Sequence, residues 1–347
     1  MIKKIFMPIV ITILLLVNSC KDKITGPVET QPGRTDYIWT VDTLYSPMNY
    51  LFTIWGSSPN DVWTTGAGGT VKDRLFHFDG TKWKNYEVPP GCYGNVLYGF
   101  STDNVWMGGS GGKIWHFDGK SWALNFTYQP NGWQTVDISD IWGTNPNDVY
   151  AVGVVFYDHQ MYQRGFILHY DGAVWKKIYE ANFYSQLEKI RKENSNIYIY
   201  NYKLSYGING ASDTVEYYLL DGSNLKKIYS NTLDKITFGS FYNIGGEIYF
   251  VMSKDIYKYV NNTFVRQFSF NDPNFGYNVY GRNDKDIFVY MINGIAHYNG
   301  TDLEYLYKFT HNYTSIGRGP IIFNNDIFFC MWDPISNINM VLHGKLK

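Results

Sequence analysis

The sequence predicts an all-β protein, a seven-bladed β-propeller of four-stranded antiparallel blades, and three observations carry that prediction. Aromatic residues make up 18% of the 347 residues, and such side chains favour the pleated, half-buried surface of a sheet. A unit of four short apolar runs, read first as "LFTIWGSSPNDVWTTGAGGTVKDRLFHFDGTKWKNYEV" over 51–88, recurs along the chain. Its aliphatic landmark falls at Val62, Val105, Val149, Ile197, Ile248, Ile287 and Ile327, at intervals of about 40–50 residues, the length of one propeller blade.

The elements follow in order. "MIKKIFMPIVITILLLVNSC" sets Lys3 and Lys4 before an apolar stretch from Ile5 to Val17 and closes on Ser19 and Cys20. This is the plan of a signal peptide, expected over 1–19, and the stretch is shorter than the roughly 20 residues a spanning helix needs. The quartet Val17-Asn18-Ser19-Cys20 resembles the lipobox of bacterial lipoproteins. That resemblance implies a lipidated Cys20 at the mature N-terminus. Residues 20–35 are polar, contain two Pro and two Gly, and show no periodicity, so they read as the lipidated Cys and a flexible tether. The propeller is expected over 36–347. The implied address is the bacterial cell envelope, outside the cytoplasm, with a lipid anchor in the outer membrane or at the cell surface.

Within the body, "LFTIWG", "DVWTTG", "LFHFDG" and "KWKNYEV" are the expected strands a to d of the first unit, separated by turn residues. Copies two and three, at 97–126 and 140–180, repeat it closely, and those at 196–229, 247–268 and 279–307 keep its landmarks. The last copy, 321–347, stops after its third strand. The segment at about 36–45, "DYIWTVDTLY", places Trp39 where Trp83, Trp122 and Trp175 begin strand d. Pairing it with the C-terminal strand closes the ring and covers an open sheet edge. Sharing Tyr37 to Lys347 among seven units gives about 44 residues each.

"HFDGTKW" at 77–83 returns as "HFDGKSW" and "HYDGAVW". Asp-Gly between two strand-like runs predicts a two-residue hairpin with both φ angles positive. Asn replaces the Asp at Asn261 and Asn299, so the carboxylate serves geometry rather than proton transfer. His77, His116, His169 and His297 fall one to a blade and do not converge, as a metal site requires. The Trp opening strand d reads as an anchor between blades. The pattern "IWG-x-x-PNDVW … H-[YF]-D-G-x-x-W" resembles bacterial lipoprotein propeller repeats and, distantly, Asp-box propellers of sialidase type, in which the repeat motif is itself structural. It marks an architecture without naming an activity.

A net charge of −1 with no basic stripe argues against nucleic acid. "GGSGGKIW" lacks the Ser/Thr of a phosphate loop, and no nucleophile elbow or zinc motif occurs. No catalytic residue, cofactor or metal is assigned. Function is sought instead on the face carrying the unlike b–c and d–a connections, where binding residues concentrate. The b–c connections include "VVFYDHQMYQRG", "KLSYGINGASDT" and "MWDPISNIN", and the d–a connections "TYQPNGWQ" and "NDPNFGY". Ligand-binding candidates there are Tyr128, Trp133, Tyr157, Tyr162, Arg164, Tyr206, Tyr277 and Trp332. Rigid aromatic rings with polar tips suit a protein or glycan. The expectation is a non-enzymatic binding or scaffold module engaging an envelope protein or glycan, held to the membrane only through its lipid. The alternative is a sialidase- or lyase-like glycan-processing enzyme on the same face. A sialidase would need clustered arginines, for which Arg74, Arg164 and Arg318 are the loop candidates.

Overall fold

A computed structural model of the chain describes residues 31–46, 50–66, 68–132, 135–157, 162–182, 184–203, 213–232, 239–312 and 314–347. The chain divides into Met1–Gln31 and a compact unit, Pro32–Lys347. The signal peptide and Cys20 lie outside the described residues, as do Trp133 and Tyr206. All regular structure in the described residues is β.

After β1 (Tyr37–Leu44), the chain folds as successive antiparallel meanders of four strands. The first comprises β2 (Leu51–Ser58), β3 (Asp61–Gly66), β4 (Leu75–Phe78) and β5 (Trp83–Asn85). The second comprises β6 (Val96–Ser101), β7 (Asn104–Gly108), β8 (Lys113–Phe117) and β9 (Trp122–Thr127). Then come β10 (Thr135–Asn145), β11 (Asp148–Tyr157), β12 (Tyr162–Tyr170) and β13 (Trp175–Glu180). The fourth has β14 (Gln186–Glu193), β15 (Asn196–Lys203), β16 (Thr214–Asp221) and β17 (Asn224–Thr232). The fifth, β18 (Gly239–Ile244), β19 (Glu247–Met252), β20 (Asp255–Val260) and β21 (Thr263–Ser269), precedes β22 (Phe275–Asn283), β23 (Asp286–Met291), β24 (Gly294–Tyr298) and β25 (Leu303–Lys308). These last two meanders count as one eight-stranded sheet only through a single parallel bridge, Ile244 to Gly281.

β26 (Pro320–Ile322), β27 (Asp326–Asp333) and β28 (Ile338–Leu346) have no fourth strand of their own, and β1 supplies it. Its register runs from Tyr37 opposite Leu346 to Leu44 opposite Asn339, with Trp39 opposite Gly344, as the sequence predicts. Gly33 and Arg34, which composition assigns to the tether, also bind the body. Gly33 N–H donates to the Lys285 carbonyl, and Arg34 donates to the Lys347 carbonyl and the Asp36 carboxylate. First strands of successive meanders touch in turn: β2 with β6, β6 with β10, β10 with β14, β18 with β22, β22 with β26, and β26 with β2. The first strands therefore surround an axis.

Rings crossing between neighbouring meanders fill the space between sheets. Trp122 meets Trp63 edge-on at 6.0 Å, Trp175 meets Trp106 at 5.5 Å, and Trp39 lies 5.8 Å from Tyr307. These are the anchors expected of the strand-d tryptophans. Fully burying each ring contributes about 1.5–3 kcal/mol.

Histidines pin five of the meanders to themselves. The Nε2 atoms of His77, His169, His297 and His343 stand 2.7–2.9 Å from Asp61, Asp148, Asp286 and Asp326, and His116 meets Asn104 at 3.0 Å. Each acceptor opens the second strand and each His lies near the end of the third. The ring then lies against the second strand's aromatic: His77 on Trp63 at 4.1 Å and His343 on Phe328 at 3.8 Å. The fifth meander replaces the pair by Lys258 and Glu247, 2.7 Å apart, with the ammonium over the Tyr249 ring. The fourth has Leu219 opposite Tyr198.

Two local expectations are corrected. The Asp-Gly turns are not two-residue turns with both φ positive. Of 79–82 only Gly80 has positive φ, while Asp79 Oδ1 accepts the Thr81 and Lys82 N–H groups. A carboxylate satisfying two backbone donors makes a longer turn stable. The expected geometry occurs at Asn261-Asn262, with φ of 51° and 63°. Several supposed loops are also strand: Tyr157, Arg164, Tyr277 and Trp332 all lie within β-strands. Alternating aromatic and polar residues can continue a ladder past the apolar run.

Candidate functional site

The axial opening is a concave feature built from several meanders. At the end where first strands begin, a cavity of about 470 Å³ is lined by Tyr50, Phe52, Glu188, Lys189, Tyr277 and Arg318, among others. A deeper space of about 220 Å³ shares Lys189, Tyr242 and Arg318 and is walled by residues of β2, β6, β10, β14, β18, β22 and β26. The mouth falls within the roughly 300–1,000 Å³ usual for ligand pockets.

Bulges shape it. Leu51 and Thr53 pair with adjacent Gly66 and Thr65, so Phe52 is an extra residue. Ser139 and Glu188 are extra in β10 and β14 by the same pattern. In β22, Phe275 pairs with Met291 and Val279 with Val289, so Gly276, Tyr277 and Asn278 oppose Tyr290 alone. Each interruption falls at one height, five or six residues before its strand ends at Ser58, Asn145, Glu193 or Asn283. A bulge breaks the alternation of faces and re-aims side chains. Here Phe52, Glu188 and Tyr277 line the mouth, and the Ser139 carbonyl accepts from Arg318 Nη1. Tyr277 has φ of 64°, a left-handed backbone unfavourable for an aromatic residue and typical of functional positions.

The polar groups within are held by neutral partners or by one another. Lys189 Nζ donates to Ser240 Oγ at 3.0 Å and the Phe241 carbonyl at 3.2 Å, and lies 4.2 Å from the Tyr242 ring centre. Burial, then the neighbouring Arg191 guanidinium, push this ammonium down to about 7, against the pull of Asp140. Arg191 pairs with Asp140, whose carboxylate also accepts the Ile190 N–H. Tyr242 donates to Asn278 Oδ1.

Of the sequence candidates, Tyr277 lines the mouth and Trp332 adjoins it, its ring 5.0 Å edge-on from Tyr50. Tyr128 is 8% exposed, packs on Phe166 and donates to Glu180 at 2.9 Å, so it faces the core. Tyr157 and Arg164 lie on the β11–β12 hairpin with Tyr162, and Tyr157 is 48% exposed. Neither Tyr157 nor Arg164 lines either cavity. Arg74 is buried and donates to the Gly68, Gly69 and Cys92 carbonyls. It stabilises its own loop. Arg74, Arg164 and Arg318, the loop arginines considered for a sialidase, are thus not brought to one cavity, where Arg318 is joined instead by Arg191. Cys92 and Cys330 are buried and unpaired, and burial pushes both thiols up to about 12.

Sequence reasoning missed Lys189 and the part played by Arg318. Their only sequence signal is Gly317-Arg318-Gly319, an arginine between two glycines.

No protein-family model matches the chain, and no curated protein matches it. Among solved structures it is similar to a catalytically inactive virginiamycin B lyase from Staphylococcus aureus with quinupristin (TM-score 0.61, 14% identity, 90% of this chain and 100% of that one). It is also similar to YCF48 bound to D1 peptide (TM-score 0.59, 10% identity, 92% and 100%). A third is the polysaccharide lyase Uly1 (TM-score 0.51, 9% identity, 93% and 94%). Such identities show the fold alone: the chain has a β-propeller fold.

Proposed function

We propose that this chain is a seven-bladed, lipid-anchored propeller of the bacterial envelope that binds a protein partner at the mouth of its axial opening, without catalysis. Counting the eight-stranded sheet as two blades gives the seven expected from the repeat. The observation that carries the binding reading is the rim of bulged first strands, which presents Phe52 and the strained Tyr277 together at one mouth. Rigid rings around a preformed concavity suit an extended peptide segment, and YCF48, of the same fold, has been solved bound to a peptide.

The chain enters β1 beside Lys285 and Lys347, at the end of the disc opposite the mouth. The eight residues of β1 separate the two ends by about 25 Å.

The test uses the full chain extracted in detergent from its native membrane after cross-linking. Tyr277→Asn tolerates the left-handed backbone but removes the ring. Loss of a cross-linked partner at an unchanged unfolding midpoint supports the reading; retention of every partner by Tyr277→Asn and Tyr50→Ala refutes it. A second reading, a lyase, has one observation in its favour: an ammonium near neutrality beside Arg318 in a polar channel. Unsaturated product from uronate polymers, abolished by Lys189→Met, would establish it.

A further inference from the structure

Lys189 and Arg318 have no carboxylate within ion-pair distance among the described residues. Gly317 and Gly319, at φ of 60° and 127°, carry Arg318 into the opening. A Cβ on Gly317 would stand 2.4 Å from the Phe52 carbonyl oxygen, and one on Gly319 would stand 2.5 Å from the Tyr280 ring. Only glycine allows both approaches. The Arg318 guanidinium donates to the Ser139 carbonyl and lies 5.6 Å from the Phe52 ring centre. Its partners, like those of Lys189, are neutral and leave its charge uncancelled.

The groups facing Lys189 come from several elements. They are Arg191 and Glu188 on its own strand, Asp140 on β10, Arg318 before β26, Tyr242 on β18 and Tyr200 on β15. With Lys189 protonated, three cations against two carboxylates leave one surplus positive charge in a confined space. We infer that Lys189 and Arg318 together bind a single carboxylate carried by the entering peptide, either its C-terminus or an acidic side chain. This rests on the reading of the mouth as a peptide site. A monoanion matches the surplus, whereas a phosphate dianion would leave an uncompensated negative charge. A guanidinium fork beside an ammonium suits a carboxylate's two oxygens. Because Lys189 titrates near neutrality when the site is empty, a bound carboxylate raises its pKa. Binding then takes up a proton and weakens as the pH rises above about 7.

The probe is a pool of acetylated tetrapeptides passed over immobilised full-length chain in three forms. These are free acids, amides without acidic residues, and amides with one fixed Asp; inorganic phosphate and trigalacturonate are run beside them. At pH 6.5 a carboxylate-bearing pool should be retained at least tenfold more than the neutral amides, with less retention at pH 9. Arg318→Gln and Lys189→Met should each bring retention to the neutral level at unchanged unfolding midpoints, and Arg318→Lys should restore part of it. The acid and Asp pools separate the two carboxylate sources. Equal retention of the neutral pool, no retention of any pool, tighter binding of phosphate or trigalacturonate, or no effect of the folded variants overturns the inference. If Tyr277→Asn releases a partner while Arg318→Gln changes nothing, the binding reading stands and the carboxylate site falls. If the acid pool depends on Arg318 but no partner depends on Tyr277, the reverse holds.

Discussion

Asp286→Ala is expected to be among the most damaging single substitutions outside the apolar core. The Asp286 carboxylate accepts from His297 Nε2 and Arg282 Nη1, both at 2.8 Å, and the His297 side chain is 1% exposed. Arg282 also donates to the Phe323 carbonyl and the Tyr37 hydroxyl, tying the closing strand to the neighbouring meander. Removing the carboxylate strands a half-buried guanidinium and a buried imidazole, which costs about 3–5 kcal/mol. At roughly 2–4 °C per kcal/mol for a large domain, the midpoint should fall by about 6–20 °C. Asp286→Asn keeps an acceptor and should cost about 1–2 kcal/mol. The double variant Asp286→Asn, His297→Leu copies the fourth meander, where Asn196 and Leu219 hold these positions. It should be milder than the alanine. Thermal melts of the full chain at pH 7.5, followed by circular dichroism, give all three values. A drop under about 3 °C for Asp286→Ala, or a double variant worse than it, would refute the claim that these pairs hold the blades.

Other outcomes follow from the same contacts. Trp122→Ala removes a 5%-exposed ring set between Trp63 and Phe117 and should cost about 3–5 kcal/mol in urea unfolding. Asp148 would be pushed up by burial, but hydrogen bonds from Thr144, Lys192 and His169 bring it down to about 2. Its folded pKa lies below the unfolded value, so its contribution is complete above about pH 4 and is lost as the pH falls toward 2; Asp148→Asn should flatten that acid limb of the melting curve. Burial lowers the His116 pKa, its acceptor being the neutral Asn104. Asn104→Asp should therefore stabilise by about 0.5–1.5 kcal/mol, more at pH 5.5 than at pH 8, and a pH-independent effect would contradict the assignment. Gly344→Val places a side chain where a Cβ already stands 2.5 Å from the Trp39 ring; limited proteolysis should then clip the released N-terminal strand.

The architecture was legible because each meander repeats its landmarks and because the missing last strand had a counterpart after the tether. The tryptophans of strand d could be read as anchors since their spacing survives in several copies. The histidines could be read as scaffold, but their partner could not. Asp61 and its counterparts sit in "PNDV", where a turn accounts for them fully, and only folding brings them to His across the sheet. The axial site was hidden for a different reason. Lys189 occupies a strand whose alternation says nothing about the inserted Glu188, and bulges leave no compositional mark. The loop aromatics divide: Tyr128 packs in the core, whereas Tyr277 reaches the mouth through backbone that sequence periodicity does not describe.

The latch also has a mechanical meaning. β1 runs antiparallel to β28 through eight facing residue pairs, and the polypeptide enters it at the end away from the mouth. If a partner grips the rim while the preceding chain is tugged from the other side, the load runs along the strand axis. Its ladder bonds then share the force and must rupture together, instead of peeling one by one. Such a joint withstands a pull far better than a hairpin opened from its tip, so the ring resists being unwound by the same segment that completes it.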